Sequence, residues 1–129
     1  MPSLPLSLEL AVTPGARQRG LMSRLAFAPG TDGMLFVFNP PSTGPFWNPQ
    51  TLLSLDVAYV DAAQRLFAVL PMRTIIESKG VVETYAPPAP YLAAIELARG
   101  RLAAAGVPIG ARLEIHAVNG PYAQASLLW

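Results

Sequence analysis

Leu4, Leu6, Leu8 and Leu10 alternate with Pro5, Ser7, Glu9 and Ala11 near the start of the chain. A period of two with one apolar face predicts a strand lying on a core. Pro2 and Pro5 put the start of that strand at a sheet edge, where a missing N–H breaks no ladder bond. Thr13-Pro14 reads as a helix N-cap followed by proline at the first helical position. Arg17, Gln18, Leu21, Met22 and Leu25 then allow a short amphipathic helix to about Arg24. Gly20 weakens that helix and is expected to mark close packing against a neighbouring strand.

Residues 29–33 are dense in turn formers, residues 34–38 are a continuous apolar run too short for a helix, and Asn39-Pro40-Pro41 bounds it. Residues 46–51 and 53–60 read as two further strands. In the second, Leu53, Leu55, Val57 and Tyr59 share one face, and Ser54, Asp56, Ala58 and Val60 the other. A turn at 61–64 leads into a strand over 65–70. A second hairpin is expected where residues 74–77 and 81–85 flank Ser78-Lys79-Gly80. Residues 91–97 form a strand, 99–105 a short helix ended by Gly106 at the left-handed cap position, and 112–118 another strand.

Many short strands, turns rich in proline and glycine, and one or two short helices predict a mainly β (α+β) fold. The two architectures that fit are a small antiparallel barrel and a packed two-sheet domain. With 129 residues, 52% of them hydrophobic, the chain supports a single domain over 1–129 with its own core. Residues 120–129 follow the last predicted strand and end in Ser126-Leu127-Leu128-Trp129. This apolar tail is expected to dock, either on its own domain or on a second copy. Low charge and a mean hydropathy above zero make a homo-oligomer through the tail an expectation.

Nine basic residues, eight of them arginine, balance eight acidic ones and stand singly along the chain. That distribution offers no footprint for nucleic acid or an anionic membrane, so neither is an expected partner. No cysteine is present, which excludes disulfides, thiolate nucleophiles and cysteine metal sites. The first ten residues lack a basic segment followed by an apolar one, and no run approaches eighteen apolar residues. A cytoplasmic location is the resulting expectation.

Few constellations carry chemistry. One histidine, His116, stands two residues after Glu114 on a predicted strand, which gives a two-ligand clip where a metal needs three or four ligands. No serine lies in a nucleophile elbow, and no glycine-rich phosphate cradle occurs, so no metal and no cofactor are predicted. What remains is a run of motifs: Arg19-Gly20-Leu21-Met22-Ser23-Arg24, then Gly33-Met34-Leu35-Phe36, then Phe46-Trp47 with Thr51, then Leu55-Asp56.

Taken in that order, the motifs resemble the family called domain of unknown function 192, whose pattern reads roughly R-x-x-GLM-x-R, GMLF, FWMKNT, LD. The likeness covers residues from about 13 to 115. It implies a fold and candidate residues but no settled activity, and some relatives carry an export signal. Where the pattern has Met-Lys-Asn, this chain has Asn48-Pro49-Gln50. Any role of that lysine or asparagine in relatives is therefore weakened or lost here, since Pro49 supplies neither an ammonium group nor a backbone donor.

Asp56, in an apolar strand, needs a hydrogen-bond donor, and a buried arginine needs an acceptor, so Asp56 is expected to pair with Arg24 or Arg19. As a structural ion pair this would fix register. As a site, Arg24, Arg19, Trp47, Thr51 and Asp56 would line a cleft offering a cation, a flat wall, a hydroxyl and a carboxylate to a small polar ligand. The favoured reading is a ligand- or partner-binding domain without established catalysis. An enzyme using Asp56 as general base on a small polar substrate, and a structural or interaction subunit, are the alternatives.

Overall fold

A computed structural model describes residues 1–129. In chain order the elements are β1 (Ser3–Ala11), α1 (Pro14–Arg19), β2 (Gly33–Ser42), β3 (Phe46–Trp47), β4 (Leu55–Val60), β5 (Leu66–Met72), β6 (Thr84–Tyr85), β7 (Tyr91–Ala98), α2 (Arg101–Ala105), β8 (Arg112–Asn119) and β9 (Tyr122–Leu128). Seven strands form one sheet in the order β5-β4-β7-β2-β1-β9-β8, and β3 pairs with β6 as a small second sheet. Neighbours in the large sheet are antiparallel except β1 and β2, which are parallel. Of the two predicted architectures the two-sheet domain is realised, because the large sheet does not close. Its outer strands touch at one end only, through a bridge between Arg65 and Arg112 and a 2.8 Å bond from Leu66 N–H to the Ala111 carbonyl.

This curl wraps one face around a core that includes Leu6, Leu8, Leu35, Ile95, Leu97 and Leu127. The other face carries a second, more aromatic cluster with Phe36, Val57, Tyr59 and Tyr91, covered by α1 and the β3–β6 ribbon through Ala16, Phe46 and Tyr85. The period-two alternation decides which side chain goes where: a residue and its neighbour on one strand lie on opposite faces.

The predicted alternation in β1 buries Leu4, Leu6 and Leu8, but β1 lies inside the sheet, not at its edge. Pro5 is tolerated because the parallel pairing with β2 begins only at Leu8, so residues 3–7 have an open flank. Ser7 N–H points to that flank and donates to Asp32 Oδ2 at 2.8 Å, and Pro5, two residues earlier, turns its nitrogen the same way. Thr13 caps α1 as expected, its hydroxyl accepting from Ala16 N–H at 3.1 Å. The helix is shorter than the pattern suggested, because Gly20 takes a φ of +48° and ends it at Arg19.

Three further expectations are corrected. Strand β2 runs on through Pro40 and Pro41 to Ser42, with an irregular register after Val37. Residues 46–51 contribute only two strand residues. The hairpin over 74–85 does not form: residues 75–80 are turns, and only Thr84 and Tyr85 pair, with β3. The apolar tail is β9, a full strand between β1 and β8 that buries Ala123, Ala125 and Leu127 in its own domain. No helix is long and apolar enough to cross a membrane.

Candidate ligand-binding site

On the aromatic face, a cavity of about 230 Å³ opens between α1 with its following turn and the segment leading into β3. Phe36 and Phe38 from β2, Leu55 from β4, and Tyr91 and Glu96 from β7 form its floor. Arg17, Arg19 and the 20–22 turn make one wall; Phe46, Trp47 and Thr51 stand on the other. Gly20 is what allows the turn to cross so low. A β-carbon there would lie 3.2 Å from the Phe36 ring and 3.7 Å from Glu96 Oε1. The close packing predicted for Gly20 is thus found against β2.

The rings interlock edge to face, with centroids 4.9 Å apart for Phe36 and Phe46, 4.9 Å for Tyr59 and Tyr91, and 5.1 Å for Phe38 and Tyr91. Two hydroxyls lock the cluster: Tyr91 donates to the Gly44 carbonyl and Tyr59 to that of Tyr85, each at 2.7 Å. Burial pushes both phenols upward, which keeps them neutral donors. Arg17 lies 5.1 Å over the Phe38 ring and donates to the carbonyls of Val12 and Val37 at 2.6 and 3.1 Å.

Glu96 is the unusual group. It lies on β7 between Met34 of β2 and Val57 of β4, pointing to the aromatic face, and is 5% exposed. Its carboxyl makes no ion pair or hydrogen bond within the protein yet keeps access to the cavity. Burial without a cationic partner pushes it up to about 8, so at neutral pH it is largely a protonated acid. Sequence reasoning missed it. The signal was present, since Glu96 is the one charged residue in the buried strand Tyr91–Ala98, the same anomaly that drew attention to Asp56.

Of the residues singled out from sequence, Arg19, Trp47 and Thr51 line the cavity, and Arg24 and Asp56 do not. Trp47 is 51% exposed, while Thr51 is buried and donates its hydroxyl to Met72 Sδ at 3.8 Å. Asp56 pairs with neither arginine. It lies on the opposite face of β4 from Leu55, Val57 and the cavity, and accepts the Gly100 N–H at 2.8 Å where α2 begins. Arg24 instead grips Glu9 of β1 with two bonds of 2.5 and 2.9 Å. The parity of β4 separates the two: Asp56 could face an arginine over the aromatic cluster only if the strand slipped by one residue.

The departure from the family pattern has a structural role. Asn48 is fully buried, donates to the Arg73 carbonyl and Ser78 Oγ at 3.0 and 3.2 Å, and accepts Glu83 N–H at 2.7 Å. Gln50 receives Ser23 N–H on its carbonyl at 2.7 Å and Ser23 Oγ on its side chain at 2.8 Å, tying the cavity's two walls together. Elsewhere, Glu114 and His116 share a face of β8, with 3.7 Å between Nδ1 and Oε1, and His116 Nε2 is 2.9 Å from Ser126 Oγ.

The sequence model for domain of unknown function 192, described as an uncharacterized ACR, matches residues 2–115, and the chain belongs to this family. Two crystal structures are similar. One is a protein of unknown function from Novosphingobium aromaticivorans DSM 12444, with 24% identity, a TM-score of 0.69, and 84% of this chain and 81% of that one covered. The other, from Sinorhizobium meliloti 1021, is described provisionally as a transcription regulator. Its identity is 26%, its TM-score 0.70, and 88% of this chain and 95% of that one are covered. No curated protein matches the chain.

Proposed function

We propose that the protein is a small-molecule-binding domain whose ligand occupies the cavity beneath the Gly20 turn. The observation that carries this reading is Glu96: a buried, unpartnered carboxyl costs stability and is retained where a ligand completes it. The aromatic floor supplies apolar contact and the half-exposed Trp47 a flat wall at the mouth. At about 230 Å³ the cavity lies below the roughly 300–1,000 Å³ of pockets for drug-sized ligands, which favours a small metabolite.

Catalysis by Asp56 finds no support, because its carboxylate is engaged with Gly100 on the far face of the sheet. A carboxyl at about 8 can serve as a general acid, but of the other cavity hydroxyls Tyr91 and Thr51 already donate to protein atoms and Ser42 Oγ is held by the Gly44 N–H, which favours binding over reaction. The scattered arginines and a net charge of +1 give no stripe for DNA, so the regulator description of the Sinorhizobium neighbour is not carried over.

A thermal-shift screen of metabolites against the native protein and Trp47→Ala tests the reading. A true ligand at 100 times its Kd stabilises the native chain by about 2.7 kcal/mol and the variant by much less. Equal shifts in both proteins, or none in the native one, would sink it.

A further inference from the structure

Nearly every charged side chain in this protein is already matched. Glu9, Glu77, Glu83 and Glu114 pair with arginines, and Asp32, Asp56 and Asp61 accept backbone N–H groups. Among the arginines, Arg24, Arg73, Arg99 and Arg112 hold those glutamates, Arg101 approaches Asp32, and Arg17 and Arg65 donate to carbonyl oxygens. Among the acidic side chains only Glu96, and among the arginines only Arg19, lacks such a partner. Both line the same cavity, and no ion pair joins them.

We infer that the cavity selects a zwitterionic small molecule, with its ammonium group seated on Glu96 among the aromatic rings and its anionic group on Arg19 at the mouth. The inference rests on the small-ligand reading above and names the ligand's charge pattern. The rings of Phe36, Phe38, Phe46 and Tyr91 line the same cavity as the carboxyl, and aromatic π faces attract cations where they offer little to a carbonyl or a second anion. Of the two polar side chains on the floor, Tyr91 donates its hydroxyl to the Gly44 carbonyl, which leaves the Glu96 acid free to become an acceptor on losing its proton. A simple amine would have to pass Arg17 and Arg19; a molecule carrying its own anion would be drawn to them instead. Seating an ammonium ion on Glu96 turns the acid into a carboxylate and releases its proton to solvent, so binding and proton release are coupled.

The test uses the full chain and a series of ω-amino acids from β-alanine to 6-aminohexanoate, with phosphocholine. The matched monoamines and monocarboxylates, and neutral indole and phenol, are run beside them by calorimetric titration at pH 7. At least one zwitterion is expected to bind tenfold or more tightly than both of its singly charged counterparts. About one proton should be released, read from the difference between two buffers of unlike ionisation enthalpy. Glu96→Gln and, independently, Arg19→Ala, which changes an exposed residue at the end of α1, should each weaken that zwitterion at least tenfold while leaving the circular dichroism spectrum unchanged. If indole, phenol or the singly charged probes bind as well as any zwitterion, the charge pattern is wrong and the small-ligand reading survives. If nothing in the panel binds, this inference falls, and the metabolite screen alone decides the broader reading.

Discussion

Gly33 and Glu96 meet backbone to backbone: a β-carbon on Gly33 would lie 1.9 Å from the Glu96 carbonyl oxygen. No side-chain movement relieves such a contact, because the obstacle is the main chain of the adjacent strand. The glycine of the Gly-Met-Leu-Phe motif therefore fixes how closely β2 and β7 approach, and with it the place of Glu96 on the cavity floor. Gly33→Ala is expected to cost more than about 4 kcal/mol, the range in which single changes act through forced backbone separation. Urea denaturation, or loss of soluble protein, checks this; a variant within 1 kcal/mol of native would show that the strands can part freely.

Glu96 makes stability depend on pH. Burial raises its carboxyl from 4.5 unfolded to about 8 folded. Between those values the folded chain holds a proton that the unfolded chain has released, so the stability linked to this carboxyl is fully present below pH 4.5 and is lost as pH rises towards 8. The cost at pH 7 is about 3 kcal/mol. The groups facing Glu96 are the Tyr59 and Tyr91 hydroxyls, both held neutral, Arg17 and Arg19 on the wall, and the closed Glu9–Arg24 pair two strands away. From pH 5 to 8 the native Tm should fall by roughly 10 °C, and Glu96→Gln should remove most of that slope. Slopes are the proper comparison, since a buried amide carries its own desolvation cost.

Glu77 and Glu83 set the opposite dependence at low pH. Hydrogen bonds from Arg99 and Arg73 hold the two carboxyls down to about 2, and both pairs fasten the 73–83 loop beside the β3–β6 ribbon. Their contribution is present above pH 4.5 and disappears as pH falls through 2. Amide exchange in the loop should therefore accelerate below pH 3 ahead of the core strands. An unchanged order of exchange would mean that these exposed pairs do not hold the loop.

The large sheet was legible in the sequence wherever alternation or a solid apolar run marked a strand, as in Leu4 to Leu8 and Leu55 to Val60. What escaped had local signals that tertiary contacts overrode. Ile75, Ile76, Val81 and Val82 favour strand by propensity, yet Ile76 is 75% exposed on a turn, because Asn48 and the Thr74–Glu77 bonds fold that segment back. Strand β9 hid its period of two behind small residues, Ala123 and Ala125, so only its bulky end drew notice. Arg19, Trp47 and Thr51 stand in motifs legible in the sequence, and they line the cavity. Arg24 and Asp56 carry the same motifs and opposite charges, which suggests a pair, but Arg24 binds Glu9 and strand parity sends Asp56 to the other face.

Asp56 supplies a direct contrast with Glu96. Its carboxylate accepts the Gly100 N–H at 2.8 Å, where Gly100 in a left-handed conformation starts α2 without a side-chain cap of its own. Asp56→Ala leaves that donor without its acceptor, so stability should fall by about 1–2 kcal/mol. Affinity for a cavity ligand should stay within twofold, because the residue lies across the sheet from it. A large loss of binding with stability intact would return Asp56 to the site.

Asn48 stands where the family pattern has methionine, and it joins three segments that no strand pairing holds. Its amide nitrogen reaches Arg73 and Ser78, its oxygen takes the Glu83 N–H, and it is fully buried. Replacing it with alanine leaves the Arg73 carbonyl and the Glu83 N–H without a side-chain partner and opens space beneath the loop. The expected cost is about 2–4 kcal/mol from two or more lost buried bonds. Asn48→Asp separates bonding from packing: it keeps the acceptor for Glu83 N–H but loses both amide donations and brings a charge into a buried site. It should be at least as damaging as alanine. If Asn48→Asp proves milder than Asn48→Ala at pH 7, volume rather than hydrogen bonding is what this residue supplies, and the loop must be held by its ion pairs instead.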